Sequence, residues 1–326
     1  MEYIRLGRTG LKVSRLCLGT MNFGWSAGEA ASHEMLSGAL DHGLNFVDTS
    51  NSYGGQFGAG LTEQIIGGWF AKGGPRDKVV LATKVYSRMG EWPNEGGLSA
   101  RNIVAACEAS LRRLGTEWID LYQMHHVDRD VPWEEIWQAM ELLVAQGKVR
   151  YVGSSNFAGW HLAAAQAAAD RRHFLGLVSE QCMYNLLTRH VELEVLPAAA
   201  GLGLGVLPWS PLHRGLLSGA VRKERDGVPG REPEGRSRAL AQHRPAIEAY
   251  EDLCADLGLE PSAVALAWLL ARPEVTAPII GPRTAAQLYE SLPALDLTLG
   301  RDVLDRLDEI FPPIGKGGPA PEAWAW

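Results

Sequence analysis

Short apolar runs alternate with amphipathic stretches along this chain, and the rhythm is regular. Residues 15–19, 45–48, 79–84, 119–124, 149–153, 177–181, 205–209 and 277–280 read as strands. They are continuous apolar runs, the pattern of strands covered on both faces of a parallel sheet. Between and after them, 29–42, 61–72, 99–114, 132–146, 158–170, 190–199, 239–257, 261–271, 284–292 and 301–310 read as helices. Pro132 sits near the first turn of its helix, where its missing N–H costs nothing. Ahead of the first strand, 3–6 and 12–14 flank Gly7-Arg8-Thr9-Gly10, a hairpin turn. Eight β-then-α units predict an α/β fold, a (β/α)8 TIM barrel with an N-terminal β-hairpin, as a single domain over 1–326. An open doubly wound sheet is the alternative. Residues 213–238 break the rhythm; rich in Gly, Pro and Arg, they predict a long loop, and such loops are commonly functional.

Composition narrows the class. Of 326 residues, 46% are hydrophobic and 21% charged, which excludes a disordered chain. The net charge of −7 gives no basic face for generic nucleic-acid binding. The four cysteines, at 17, 107, 182 and 254, form no CxxC pair, so neither a zinc ribbon nor a disulfide framework is expected. They point to a reducing compartment. With no signal-peptide pattern and no run of 18 apolar residues, the expected location is cytoplasmic, without a membrane span.

In a parallel barrel the C-terminal strand ends line the active site. Here those ends carry Asp48 with Tyr53 in DTSNSYG, Lys84 in ATKV, His125 in LYQMHHVD, Ser155-Asn156 in VGSSNF, Gln181, Trp209-Ser210 and the Gly281–Thr284 turn. Singly, each has an ordinary role as a cap, a packed ring or a solvated charge. Together, an acid, a phenol, a lysine and a histidine on one rim suit protonation of an oxygen. A phenol is a poor acid at neutral pH, and a nearby ammonium is expected to lower its pKa. A carboxylate would keep that ammonium charged, and a histidine could position a carbonyl oxygen. A hydride to the adjacent carbon must come from a cofactor, since no side chain supplies one.

DTSNSYGG, ATKV, DLYQMHHVD, GSSNF, QCMYN, PWSPLHRGLLSG and IIGPRTAAQL, in this order, resemble the aldo-keto reductase family from about residue 3 to 311. The resemblance implies a (β/α)8 barrel and NADPH-dependent carbonyl reduction. It puts a catalytic tetrad on Asp48, Tyr53, Lys84 and His125, with Tyr53 as general acid tuned by Lys84 and Asp48, and His125 orienting the carbonyl. It also implies Ser155, Asn156 and Gln181 at the nicotinamide carboxamide and Trp209 stacked on the ring. Ser210, Leu212 and Gly215 would meet the pyrophosphate, Arg283 the 2′-phosphate, and Gln287 the ribose or adenine. A guanidinium fork suits a phosphate dianion, hence NADPH over NADH. The 213–238 loop would fold over the pyrophosphate. Where the family often has Glu-Asn after the Gln287 position, this chain has Glu290-Ser291, which leaves the adenine contact in doubt.

SSNFAGWHLAAAQ, YEDLCADLG and SPLHRGLLSG are similar to actinobacterial aldo-keto reductases, including sugar-nucleotide reductases of deoxysugar pathways. That implies a small-molecule carbonyl substrate, with a dTDP-keto-deoxyhexose as one candidate. Phe23, Trp25, Tyr86 and Trp92 are candidate pocket walls, and Arg88, Arg129 and Arg214 candidate cations for a diphosphate. Two other readings compete. Potassium-channel β subunits share the fold and cofactor, as sensors with little turnover, but typically lack the histidine found here at 125. A metal hydrolase on His125, His126 and Asp128 would need further ligands, commonly H-x-H on the first strand, which RLCLGTMNF lacks. No metal is expected.

Overall fold

A computed structural model describes residues 1–227 and 236–314. A hairpin of β1 (Tyr3–Arg5) and β2 (Lys12–Ser14) comes first, antiparallel as expected. There follow β3 (Cys17–Gly19), α1 (Glu29–Asp41), β4 (Phe46–Asp48), α2 (Leu61–Ala71), β5 (Val80–Val85), α3 (Ala100–Leu114), β6 (Ile119–Met124) and α4 (Trp133–Ala145). Next are β7 (Val149–Ser155), α5 (Gly159–Asp170), β8 (Leu177–Met183), α6 (Val195–Leu202), β9 (Gly205–Trp209), α7 (Ala220–Arg225) and α8 (Arg236–Leu257). The described chain finishes with α9 (Pro261–Leu270), β10 (Ile279–Ile280), α10 (Ala285–Ser291) and α11 (Arg301–Ile310).

The eight strands from β3 to β10 pair in parallel in the order β10-β3-β4-β5-β6-β7-β8-β9. A bridge between Val206 and Val275 brings the two ends together, with Thr276 N–H donating to Val206 O at 2.9 Å. The seam is reinforced by Arg15, whose guanidinium donates to the carbonyls of Leu270 (2.6 Å) and Val275 (2.8 Å). This is the (β/α)8 barrel.

Two apolar layers hold it. The larger lies between strands and helices and includes Val47, Leu81, Tyr122, Ile136, Leu162 and Trp268. The smaller fills the barrel with Cys17, Phe46, Val80, Ala82, Leu121, Val178, Leu207 and Ile279, and the hairpin adds Leu6 and Val13 as its floor. Side chains alternate across a strand, so the inward positions continue from Phe46 to Asp48, from Ala82 to Lys84, and from Leu121 to Gln123. The lumen is thus apolar below and polar at its C-terminal end. The floor fits tightly. Gly7 has φ +54°, and a Cβ there would stand 2.5 Å from Val178 O and 2.7 Å from Gly203 O.

Three expectations are corrected. The helix expected over 190–199 is a 3-10 turn, His190–Glu192, followed by α6. Pro197 is the cause: a helix begun at 190 would hold its ring in the interior against the Leu193 carbonyl, whereas in the first turn of α6 it is tolerated. The last strand is two residues, not four, since Pro278 has no N–H for a ladder; its carbonyl accepts from Cys17 N–H at 3.0 Å. The stretch 213–238 is not a loop throughout. It holds a 3-10 turn (His213–Gly215), α7 and the start of α8, while 228–235 lie outside the described residues. The Glu251 carboxylate on α8 accepts the N–H groups of Val221 (2.9 Å) and Arg222 (2.7 Å), so an acid caps α7 from a neighbouring helix. Among the described residues no single helix is long and apolar enough to cross a membrane. All four cysteines are buried and unpaired with one another.

Candidate active site

The polar end of the lumen is built on one buried cation. Lys84 Nζ, at the end of β5 and without solvent exposure, donates to Asp48 Oδ2 at 2.6 Å, Thr49 O at 2.8 Å and the Tyr53 hydroxyl at 3.3 Å. All three donors of the ammonium are therefore committed. Asp48 Oδ1 accepts from Gln123 Nε2 at 3.0 Å and Gln181 Nε2 at 2.8 Å. A buried ion pair holds only when its remaining lone pairs and protons are satisfied, and here they are. Burial works against the ammonium, but Asp48 and then Tyr53 outweigh it, so the Lys84 pKa stands above its ordinary value.

Tyr53 lies on the turn after β4, and its ring centroid is 4.9 Å from Lys84 Nζ. The expectation that the ammonium brings this phenol below its ordinary pKa is not met. Burial is the largest influence and raises it; Lys84 pulls downward without reversing the rise, and Asp48 adds to it. Tyr53 therefore keeps its proton at neutral pH. His125 follows β6, its ring edge-on to Tyr53 with centroids 6.0 Å apart. Burial, then Lys84 and His126, push its pKa down to about 3, so the imidazole is neutral. Asp48, Tyr53, Lys84 and His125 thus converge on one end of the barrel.

Ser155 and Asn156 end β7. Asn156 adopts φ +60°, a left-handed conformation that Asn tolerates better than most residues. Its Nδ2 donates to His125 O at 3.1 Å, and its Oδ1 accepts from Trp209 Nε1 at 3.1 Å. The Ser155 hydroxyl donates to Gln181 O at 2.9 Å. These expected cofactor residues thus cross-link β6, β7, β8 and β9 around the tetrad. Trp209 is half-buried, with its indole N–H fixed by Asn156.

The turn after β9 carries Ser210, Leu212 and Gly215. Ser210, His213 and Arg214 all have positive φ (54°, 44° and 55°). The Gly215 N–H donates to Leu212 O at 2.9 Å, so it serves the turn itself. Arg283 and Gln287 stand at the start of α10, where Thr284 Oγ1 accepts from Gln287 N–H and Gln287 Oε1 accepts from Arg283 N–H at 3.0 Å. Arg283 is half-buried, and no ion pair involves it among the described residues. A half-open indole, a positive-φ turn and a guanidinium at a helix start fit the ring, pyrophosphate and phosphate of a nicotinamide dinucleotide.

Some candidates separate from the site. Phe23 is fully buried in the outer core and walls no pocket. Trp25 is 48% exposed; Trp92, 75% exposed, does line a cavity, shared with Asn51, Met89 and Arg101, and Tyr86 is half-buried, 5.4 Å from the His126 ring. The Arg88 guanidinium is bound to the loop carbonyls of Gly90, Glu91 and Trp92. Asp128 accepts from Leu98 and Asp130 N–H, so it does not turn to His125 and His126, whose rings stack with centroids 5.3 Å apart. Sequence reasoning missed Gln123, which register places beside Lys84 and the two-residue alternation places inward. It also missed Glu180, buried under the β7 turn, where it accepts from Ser154 Oγ at 2.5 Å and Phe157 N–H at 3.0 Å. Burial pushes its pKa up to about 8.

A closed parallel barrel with an acid–lysine–tyrosine set and a histidine at its C-terminal end defines a nicotinamide-dependent oxidoreductase architecture, and the comparisons agree. The Aldo/keto reductase family profile matches residues 15–311, and the chain belongs to that family. The uncharacterized oxidoreductase YrpG of Bacillus subtilis is 54% identical over the whole of both chains. The versiconal hemiacetal acetate reductase of Aspergillus parasiticus is 33% identical over 96% of this chain and 98% of its own. A probable voltage-gated potassium channel subunit beta of Arabidopsis thaliana is 32% identical over 95% of this chain and 97% of its own.

Proposed function

We propose that this protein reduces an aldehyde or ketone with NADPH, Tyr53 serving as the proton donor. The observation that carries the reading is the single ammonium of Lys84, which touches both Asp48 and the Tyr53 hydroxyl beside a neutral His125. Trp209, the 210–215 turn and Arg283 are the residues that would hold the cofactor, whose chemistry when bound would be the supply of a hydride to the carbonyl carbon. Tyr53 Oη holds the proton and gives it to the carbonyl oxygen. The phenolate left behind lies against Lys84 Nζ, which offsets its charge, and takes a proton back from solvent. His125 directs the carbonyl oxygen toward Tyr53. Asp48, held by Gln123 and Gln181, keeps the lysine charged and in place. Arg283 supports the choice of NADPH, since a guanidinium binds a phosphate dianion through two parallel hydrogen bonds.

Substrate class is drawn as a carbonyl on a small molecule, in line with the reductase named among the relatives. A dTDP-keto-deoxyhexose is the narrower candidate. The test is NADPH oxidation by the purified protein with an aldehyde panel, an aromatic ketone and the keto-sugar nucleotide. Turnover lost in Tyr53→Phe with NADPH affinity retained is expected. Tight NADPH binding without reduction of any carbonyl would favour the sensor reading, which the channel-subunit relatives motivate.

A further inference from the structure

The neutral His125 ring can carry its proton on either nitrogen, and only one choice serves a carbonyl. A donor at Nε2 would hold the substrate oxygen; a bare Nε2 would repel its lone pairs. The selection belongs to whatever binds the other nitrogen. Nδ1 lies 3.3 Å from Ser50 Oγ, and Nε2 has no protein hydrogen-bond partner among the described residues. Ser50 is fully buried on the turn between β4 and Tyr53.

A serine hydroxyl has one proton and two acceptor sites. Ser52 N–H donates to Ser50 Oγ at 3.3 Å, and Ser52 Oγ, 3.1 Å away, can fill the second site. With both sites filled, the Ser50 proton is left to give away. Asn51 Oδ1, at 3.5 Å, is the most distant taker, and a neutral imidazole nitrogen is a better base than a hydroxyl. We propose that Ser50, loaded by Ser52, donates to His125 Nδ1 and so fixes the Nε2–H tautomer that binds the substrate oxygen. Ser50 is then a positioning residue, acting through His125 without touching substrate. The inference rests on the reductase reading for its purpose, but its geometry does not depend on turnover.

The test is the ring nitrogen shifts of His125 in 15N-histidine-labelled protein, assigned by the signal lost in His125→Gln. The protonated nitrogen of the wild type is expected to be Nε2. In Ser50→Ala the Nδ1–H form is expected to gain population, with kcat reduced about fivefold, the loss of roughly one hydrogen bond, and NADPH affinity unchanged. Ser50→Thr, which keeps the hydroxyl, restores the wild-type spectrum. Ser52→Ala, at a half-buried site, moves the tautomer ratio in the same direction by less. A wild-type protein with Nδ1 protonated, or a folded Ser50→Ala with its tautomer ratio unchanged, overturns the inference. Absence of any carbonyl turnover in wild type would instead overturn the reductase reading and leave the ring shifts as readable as before.

Discussion

Lys84 is the residue on which the site's chemistry and stability meet. Removing the Asp48 carboxylate with Asp48→Ala strands a buried ammonium, and such a loss costs about 3–5 kcal/mol. Chemical denaturation of that variant should show a drop of this size, larger than for Tyr53→Phe, which removes only one 3.3 Å contact. The acid–base setting also predicts a pH profile. As the proposed proton donor Tyr53 would have to be protonated to act; its pKa lies above the ordinary phenol value, and that of His125 is pushed down to about 3. The kcat for reduction should therefore run flat from about pH 6 to 9 and fall only at higher pH, as the phenol loses its proton. An inflection near 6.5 in a stopped-flow pH series would contradict the neutral histidine. Glu180 gives the opposite kind of prediction. Its folded pKa is raised to about 8 from an ordinary 4.5, so between those values the unfolded chain is ionised while the folded one keeps its proton. Stability at this site is highest below about 4.5 and is lost as pH rises toward 8. Glu180→Gln should match wild type near pH 5 and exceed it by a few kcal/mol at pH 8, read from urea unfolding at both values.

Elements place these residues, and their legibility follows the physics of each. The strand rhythm and strand ends were readable because a parallel sheet under helices demands continuous apolar runs, and the polar residue after each run stands out. Asp48, Lys84 and His125 were visible for that reason. Gln123 was not, since a glutamine inside an apolar run carries no sign of which face it takes until Lys84 is in register with it. Phe23 was misread because an aromatic in a strand-end loop looks the same whether it walls a pocket or, as here, is buried in the core. The sign of the Tyr53 shift was out of reach for a third reason. Proximity to a cation can be inferred from spacing, but the burial that outweighs it depends on the packed surroundings. The hairpin was legible as a turn, yet not as the barrel floor. Gly7→Ala tests that role: its Cβ meets backbone at 2.5 and 2.7 Å with φ +54°, and about 2–4 kcal/mol should be lost in a thermal melt, with Gly10→Ala near neutral because nothing stands within 4 Å of its Cβ.

The whole molecule sets the residues proposed to hold the cofactor, at the β8, β9 and β10 ends, beside Asp48, Tyr53, Lys84 and His125 at the ends of β4, β5 and β6. If Arg283 reads a 2′-phosphate, Arg283→Ala should weaken NADPH binding about tenfold or more and leave NADH unaffected. Thermal shift at matched cofactor concentrations would then show the stabilisation by NADPH reduced and that by NADH unchanged from wild type, since stabilisation tracks the ratio of ligand concentration to Kd. The floor and the seam have a temporal consequence. Gly7 rests against Val178, Gly203 and Gly205, Arg15 bonds to Leu270 and Val275, and β3 pairs with β10 at Ile279–Ile280. The first nineteen residues are therefore synthesised long before the surfaces that hold them. The hairpin can pair with itself and β3 with β4 early, but the open edge of β3 must wait for Ile279 and Ile280 to emerge, so barrel closure is a late, slow step taken with the chain nearly complete.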